Sequence, residues 1–340
     1  MNNGNRRRSS RKRYRVRYDR LIMVGLIFIV IIFIFASCAN SCSHKKDKKA
    51  KKGSASSIID QTSQVPQGNQ PDIQQGDPGG QTPLMPATAT EYTTAPVEYS
   101  QINSGDLVLV NANYEYKFAS NDINLVDIYS NRNEYYSVSD MTVFLDSNVI
   151  ARLNTLMQDY FGATQNTDLR VIGGNRTVEE QNEKYQSGKS NIPGGYSDYH
   201  TGRSFKLGIF PKGASSNPYK PDGVYSWLDE NCAAYGFVLR YPEGKDSITG
   251  DEASTSIFRY VGIPHAVYMK QNNLCLEEYI EAIKSYNYTN TLKVTSGTEQ
   301  YEVYYVAANV NNVTEVPVPS NKTYSISGNN VDGFIVTVSQ

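Results

Sequence analysis

Apolar and polar positions divide this 340-residue chain into stretches of different period. The first is "LIMVGLIFIVIIFIFA" at residues 21–36, a run with no polar side chain. A long polar stretch follows, and periodic patterns begin at "SGDLVLVNANYEYKF", whose alternation predicts a pair of strands. In "DSNVIARLNTLMQDYFGA" the residues Val149, Ile150, Leu153, Leu156, Met157, Tyr160 and Phe161 recur at helical spacing behind an Asp146 or Ser147 cap. "DLRVIGG" predicts a short strand, and "TVEEQNEKYQSG" predicts a helix opened by a Thr177–Glu180 capping box. Residues 204–210 predict a strand, "GVYSWLDENCAAYGF" a helix stopped by Gly236, and "FVLRY" and "IFRYV" two further strands. The amphipathic "LEEYIEAIKSY" predicts the closing helix. From residue 288 the pattern changes to short strands, "TLKVT", "EQYEVYYVAA" and "GFIVTVSQ", with a hairpin signal in "SGNNVDG". Helices and strands mix without a βαβ rhythm and no 20–50-residue repeat occurs, so the pattern predicts an α+β fold.

Charge sharpens this division. Residues 1–20 carry nine Arg and Lys against one Asp, and six Lys lie between positions 45 and 52. Residues 21–39 form 19 uncharged positions, about the ~20 that a helix needs to cross hydrocarbon. The larger basic flank comes first, which predicts a single-pass transmembrane anchor with a cytoplasmic N-terminus and an extracytoplasmic domain. A lipid anchor at Cys38 within "FASC" is the alternative. Residues 53–100 contain no Lys or Arg, six Pro and seven Gln, too little apolar content for a core and suited to a tether. The expected organisation is a basic tail at 1–20, a span at 21–39, a linker at 40–100, a core domain at 101–286 and a small β appendage at 287–340. Beyond residue 52 there are 18 basic and 32 acidic groups, which argues against nucleic acid as a partner. Cys232 and Cys275 are open to two readings, a disulfide or two buried thiols. Trp227, on an amphipathic face, reads as core.

The stretches "GGNRTVEEQ", "YSDYHTGRSFKLGI", "WLDENCAAYGFVLRYPEGKDSITG" and "FRYVGIPHAVYMKQNNLCLEEYI" resemble VanY-type D-alanyl-D-alanine carboxypeptidases over about residues 102–286. The resemblance implies a zinc DD-carboxypeptidase-like core domain and a family that trims the terminal D-Ala of peptidoglycan stem peptides with one zinc ion. The family pattern S-x-H-x-T-G-x-A-x-D matches here at Ser197, Thr201 and Gly202, but the His ligand falls on Tyr199 and the Asp ligand on Lys206. The second pattern, E-P-W-H before F-R-Y-V-G, puts the catalytic Glu on Ser254 and the third ligand on Ile257. A catalytic zinc needs three N, O or S donors and a water. Ile supplies none, an ammonium repels a cation, and a serine is no carboxylate base.

His200 lies one residue off the lost ligand, and a one-residue slip turns a strand side chain to the other face. A site rebuilt from His200, His265 and Asp251 or Glu252 is the weaker alternative, as is a Ser197–His200 nucleophile pair. Arg176 matches the family Arg that contacts substrate, with Asn175 in place of the usual Tyr; a structural ion pair with Glu179 or Glu180 is its other reading. Lys206 stands where an acidic ligand stood and could supply positive charge to a terminal carboxylate, or could extend to solvent. The expectation is therefore no catalytic residue, no metal and no cofactor, with Arg176, Ser197, His200, Lys206 and Ser254 as substrate-binding candidates. The implied partner is the peptidoglycan stem peptide or a cell-envelope protein, the membrane being met through the N-terminal helix. The alternative is an active zinc D,D-carboxypeptidase with relocated ligands.

Overall fold

The computed structural model describes residues 90–118 and 123–340. The expected basic tail, membrane span and tether up to residue 89 lie outside the described residues. Among the described residues no helix is long and apolar enough to cross a membrane. The expected single-pass membrane location is corrected accordingly and enters no later argument.

The strands are β1 (Tyr92–Val97), β2 (Leu125–Asp127), β3 (Ser137–Val138), β4 (Phe144–Asp146), β5 (Leu169–Gly173), β6 (Ser204–Ile209) and β7 (Asn217–Pro218). They continue with β8 (Phe237–Tyr241), β9 (Ser254–Tyr260), β10 (Leu292–Ser296), β11 (Glu299–Ala307), β12 (Thr314–Pro319), β13 (Tyr324–Gly328) and β14 (Gly333–Ser339). The α-helices are α1 (Ile128–Asn131), α2 (Ser147–Thr164), α3 (Val178–Gln186), α4 (Ser226–Asn231), α5 (Asp246–Thr249), α6 (Ile263–Gln271) and α7 (Leu276–Ile283). The central sheet runs β3-β5-β6-β9-β8, with β7 beside β6. Only β3 and β5 pair in parallel within it.

Helix α2 forms because Asp146 accepts the Asn148 backbone N–H at 2.9 Å as its cap. Val149, Leu153, Leu156 and Met157 of its apolar stripe are fully buried with Phe205, Leu207 and Phe258 of the sheet in one core. The Thr177–Glu180 capping box opens α3 as its spacing predicts. Gly236, at φ 89°, ends the α4 segment, and a Cβ there would come within 2.6 Å of the Tyr260 ring.

Two expectations differ from what is seen. Residues 104–118 form no strand pair, although Leu107, Val108, Leu109 and Val110 are buried. Their carbonyls find other donors: Arg259 reaches Asp106 O and Val108 O at 2.8 and 3.0 Å, and Arg240 reaches Val110 O at 3.0 Å. Buried guanidiniums thus satisfy backbone that a neighbouring strand would otherwise satisfy. Residues 92–97, placed in the linker by composition, form β1 and pair antiparallel with β12.

The sheet β10-β11-β14-β13 is antiparallel throughout. Its Leu292, Val294, Val303 and Ile335 share one core with Met269, Leu276, Ile280 and Ile283 of α6 and α7. Cys232 and Cys275 are free thiols, both buried, which removes the disulfide reading. Trp227, half-buried, packs on the edge of the core with its ring centre 5.9 Å from that of Tyr160.

Candidate functional site

Alternation along β6 sorts its side chains. Phe205 and Leu207 enter the core, while Ser204 and Lys206 take the opposite face. The β6–β9 register sets Lys206 directly against Ile257 and Ser204 against Arg259. Residues 198–201 make a short 3-10 turn before β6. Gly202 ends that turn at φ 64°, where a Cβ would meet the Leu125 side chain at 2.7 Å.

This arrangement brings Arg176, Ser197, Tyr199, Lys206, Ser254 and Ile257 to the wall of one cleft of about 490 Å³. Four cations, Arg176, Lys184, Lys189 and Lys206, line it against two carboxylates, Asp251 and Glu252. Its charge excess is therefore positive. Arg176 is held by Gln181, whose Oε1 accepts from the guanidinium at 2.9 Å. Gln181 is fully buried and donates from Nε2 to Ser190 Oγ and Ile192 O, so it ties helix α3 to the loop that walls the cleft. The expected partners of Arg176, Glu179 or Glu180, are replaced by this amide; Glu180 is occupied in the capping box.

The Arg176 guanidinium lies 3.8 Å from the centre of the Tyr199 ring, over its face. Tyr199 is 6% exposed, and its hydroxyl has no hydrogen-bond partner. Burial pushes this phenol up to about 12, against the opposing pull of Arg176. Asn175, at the family's Tyr position, donates from Nδ2 to the carbonyls of Tyr199 and His200 at 3.2 and 3.1 Å and so fixes the turn. Ser254 Oγ lies 3.1 Å from Ser256 Oγ.

His200 as a binding residue is corrected. Its Nδ1 contacts Arg176 O at 2.7 Å and its Nε2 accepts the Gly195 N–H at 3.0 Å. With a backbone donor on one nitrogen and a backbone acceptor on the other, the ring is a buried neutral strut, and burial lowers its pKa. It does not line the cleft. His265 is equally committed, to Tyr279 Oη at 2.5 Å and Thr337 Oγ1 at 3.0 Å. Neither ring is available to a rebuilt site or to a Ser197–His200 pair. Among the described residues no group of three or more His, Cys, Asp or Glu could hold a metal ion. The donor set at the four family positions is a phenol, an ammonium, a hydroxyl and a hydrocarbon, which does not fit zinc.

Asp198, between the cleft residues Ser197 and Tyr199, belongs to a buried charge web that sequence reading missed. Asp198, 1% exposed, meets Arg259 at 2.6 Å and Arg240 at 3.1 Å and accepts from the Ser204 hydroxyl. Arg240 continues to Glu277 at 2.8 Å, and Glu277 to Asn111 at 3.1 Å. Burial works against the Asp198 carboxylate, but Arg259 and Arg240 outweigh it and hold its pKa below the ordinary range. The sequence signal that could have shown this web is a charge inside an apolar strand, as in "FVLRY" and "IFRYV".

This mixed α/β fold has zinc D,D-peptidase-like structural neighbours. The family model VanY, described as D-alanyl-D-alanine carboxypeptidase, matches residues 142–263. The chain is 32% identical to a D-alanyl-D-alanine carboxypeptidase of Enterococcus faecium over 243 residues, 70% of this chain and 76% of that one. It is 28% identical to a bifunctional D-Ala-D-Ala dipeptidase and carboxypeptidase, VanXYC, of Enterococcus gallinarum, over 42% of this chain and 80% of that one. Among solved structures, the vancomycin-resistance D,D-dipeptidase VanXYg, in complex with a D-Ala-D-Ala phosphinate analogue, superposes with a TM-score of 0.64. That match has 28% identity and covers 74% of this chain and all of the other. The chain belongs to the VanY D-alanyl-D-alanine carboxypeptidase family.

Proposed function

We propose that this chain is a non-hydrolysing member of the family that holds the D-alanyl-D-alanine end of a peptidoglycan stem peptide, without metal or other cofactor. One observation carries the reading: Tyr199, Lys206, Ser254 and Ile257 stand together in one cleft with Arg176, and none of the four is a zinc-type donor or a carboxylate base. Binding chemistry survives there. Arg176 can take a carboxylate through a two-pronged guanidinium contact, and Lys206 sets a positive charge on the same wall. Ser197 and Ser254 offer hydroxyls at the edges of the same space.

The test is to incubate the protein with a D-Ala-D-Ala-terminated peptide, with and without added zinc, and to measure D-alanine release and peptide affinity separately. Saturable binding without D-alanine release is the expected result. Arg176→Ala and Lys206→Ala should each weaken binding by about tenfold or more, the size of one charge-assisted hydrogen bond. Zinc-dependent release of D-alanine would establish instead the active carboxypeptidase with relocated ligands. Absence of peptide binding, with retention on a cell-envelope protein, would move the reading to a protein partner.

A further inference from the structure

We propose that the Tyr199 hydroxyl is the hydrogen-bond donor that this cleft keeps free for its ligand, a peptide ending in a free carboxylate, and that it grips a terminal oxygen alongside Arg176. The inference rests on the peptide reading above and adds to it the specificity-determining group.

Among the described residues three buried side-chain atoms lack a hydrogen-bond partner: Arg132 Nε, Tyr199 Oη and Arg240 Nε. Arg240 Nε lies 3.1 Å from an Asp198 oxygen and is electrostatically compensated. The Arg132 guanidinium donates from Nη1 to Tyr129 O at 3.0 Å. Arg176 lends positive charge to the Tyr199 oxygen, but a guanidinium only donates, so the hydroxyl proton is left without an acceptor, and of the three residues Tyr199 lines the cleft. A hydroxyl proton withdrawn from water without an acceptor destabilises the free protein, which points to a role outside the free protein's own stability.

The ring is braced on one face and at its backbone. Arg176 covers its face at 3.8 Å, and Asn175 fixes its backbone carbonyl. The hydroxyl is shielded from solvent in the free protein, so a ligand oxygen reaches it as the wall opens locally around the peptide end, while the ring itself stays held. The phenol remains a donor rather than an anion at neutral pH, since burial pushes it up to about 12. Arg176 and Lys206 on the same walls select an anionic oxygen over a neutral carbonyl. Tyr199 occupies the position that the resemblance gives to the first metal ligand, so the electrophile facing the peptide end would now be a hydroxyl proton.

The test titrates the full-length chain with N-acetyl-D-Ala-D-Ala and with its C-terminal amide, in the wild type, Tyr199→Phe and Arg176→Ala. Phe keeps the ring and its contact with Arg176 and removes only the hydroxyl. Wild type should prefer the acid, and Tyr199→Phe should weaken acid binding by about tenfold while leaving the amide nearly unchanged. The ligand-free Tyr199→Phe chain should also melt about 2 °C or more higher, because an unpaired buried hydroxyl has been removed. Equal acid affinity in wild type and Tyr199→Phe would overturn the assignment while leaving the peptide reading standing. A lower melting temperature for Tyr199→Phe would overturn it too, since the hydroxyl would then already have a partner. No binding of either peptide by the wild type would overturn both readings together.

Discussion

Asp198 meets two guanidiniums, Arg259 at 2.6 Å and Arg240 at 3.1 Å, in the buried interior. Removing one member of such a web leaves the others as uncompensated buried charge. Asp198→Ala should therefore destabilise the fold by about 3–5 kcal/mol, measured by denaturant unfolding; a loss below about 1 kcal/mol, the range of surface ion pairs, would show that the web does not hold the fold together. The site residues differ in how far the sequence reveals them. Tyr199, Lys206, Ser254 and Ile257 were legible because Ser197, Thr201, Gly202 and "FRYVG" fix their offsets. Asp198 and Glu277 were not, because nothing around them in the sequence marks their burial, and Arg240 and Arg259 were marked only by standing inside apolar strands. His200 misled for the same reason: a ring near the lost ligand looks available until its two backbone contacts are seen.

Elements with strong periodicity were legible. Helix α2 follows from its seven apolar positions and its cap, and β6 and β8 from their apolar runs. The segment 104–118 was not, because its alternation serves buried arginines instead of a strand partner. Nor was β12, whose two prolines argue against a strand and are accommodated in a two-stranded pair with β1. The docking of the C-terminal sheet on α6 and α7 has a titratable centre in His265, held between Tyr279 of α7 and Thr337 of β14. Burial lowers its pKa to about 4, with Asp106 pulling weakly the other way. The unfolded chain binds this proton near pH 6.5, so it holds more protons than the fold across that interval. Stability supplied by neutral His265 is complete above pH about 6.5 and falls as pH drops toward 4, by up to about 3 kcal/mol at 1.36 kcal/mol per unit. Asp198, whose pKa is lowered, adds its own loss only below about pH 3.9. Thermal melting of wild type and His265→Gln between pH 7 and 4.5 separates the two: the wild type should lose stability over this range, and the variant should show a flatter dependence. Parallel curves would show that the ring is charged in the fold.

At the scale of the whole molecule, a scaffold shared with zinc peptidases and a set of residues unfit for zinc make opposite demands, and substitution can separate them. The positions themselves are still well arranged. Lys206 and Ile257 face each other across the β6–β9 ladder, and such pairs have Cβ atoms about 4.5–5.5 Å apart, close enough for two side chains to share one ion. Tyr199 and Ser254 open on the same cleft. If the backbone keeps the family geometry, Tyr199→His, Lys206→Asp and Ile257→His together rebuild a three-donor set, and Ser254→Glu restores a carboxylate beside it. The fourfold variant should bind one zinc per chain by elemental analysis after dialysis, where the wild type binds none. It should also gain about 2.7 kcal/mol of stability with free zinc at 100 times its dissociation constant, as ligand linkage requires. Release of D-alanine from a D-Ala-D-Ala peptide by this variant and not by the wild type would place the difference between the two in those four side chains. A folded variant that takes up no zinc would mean that the loop carrying Tyr199 and the β6–β9 ladder have drifted from the metal-holding geometry. The cleft would then be a binding surface by backbone as well as by side chain.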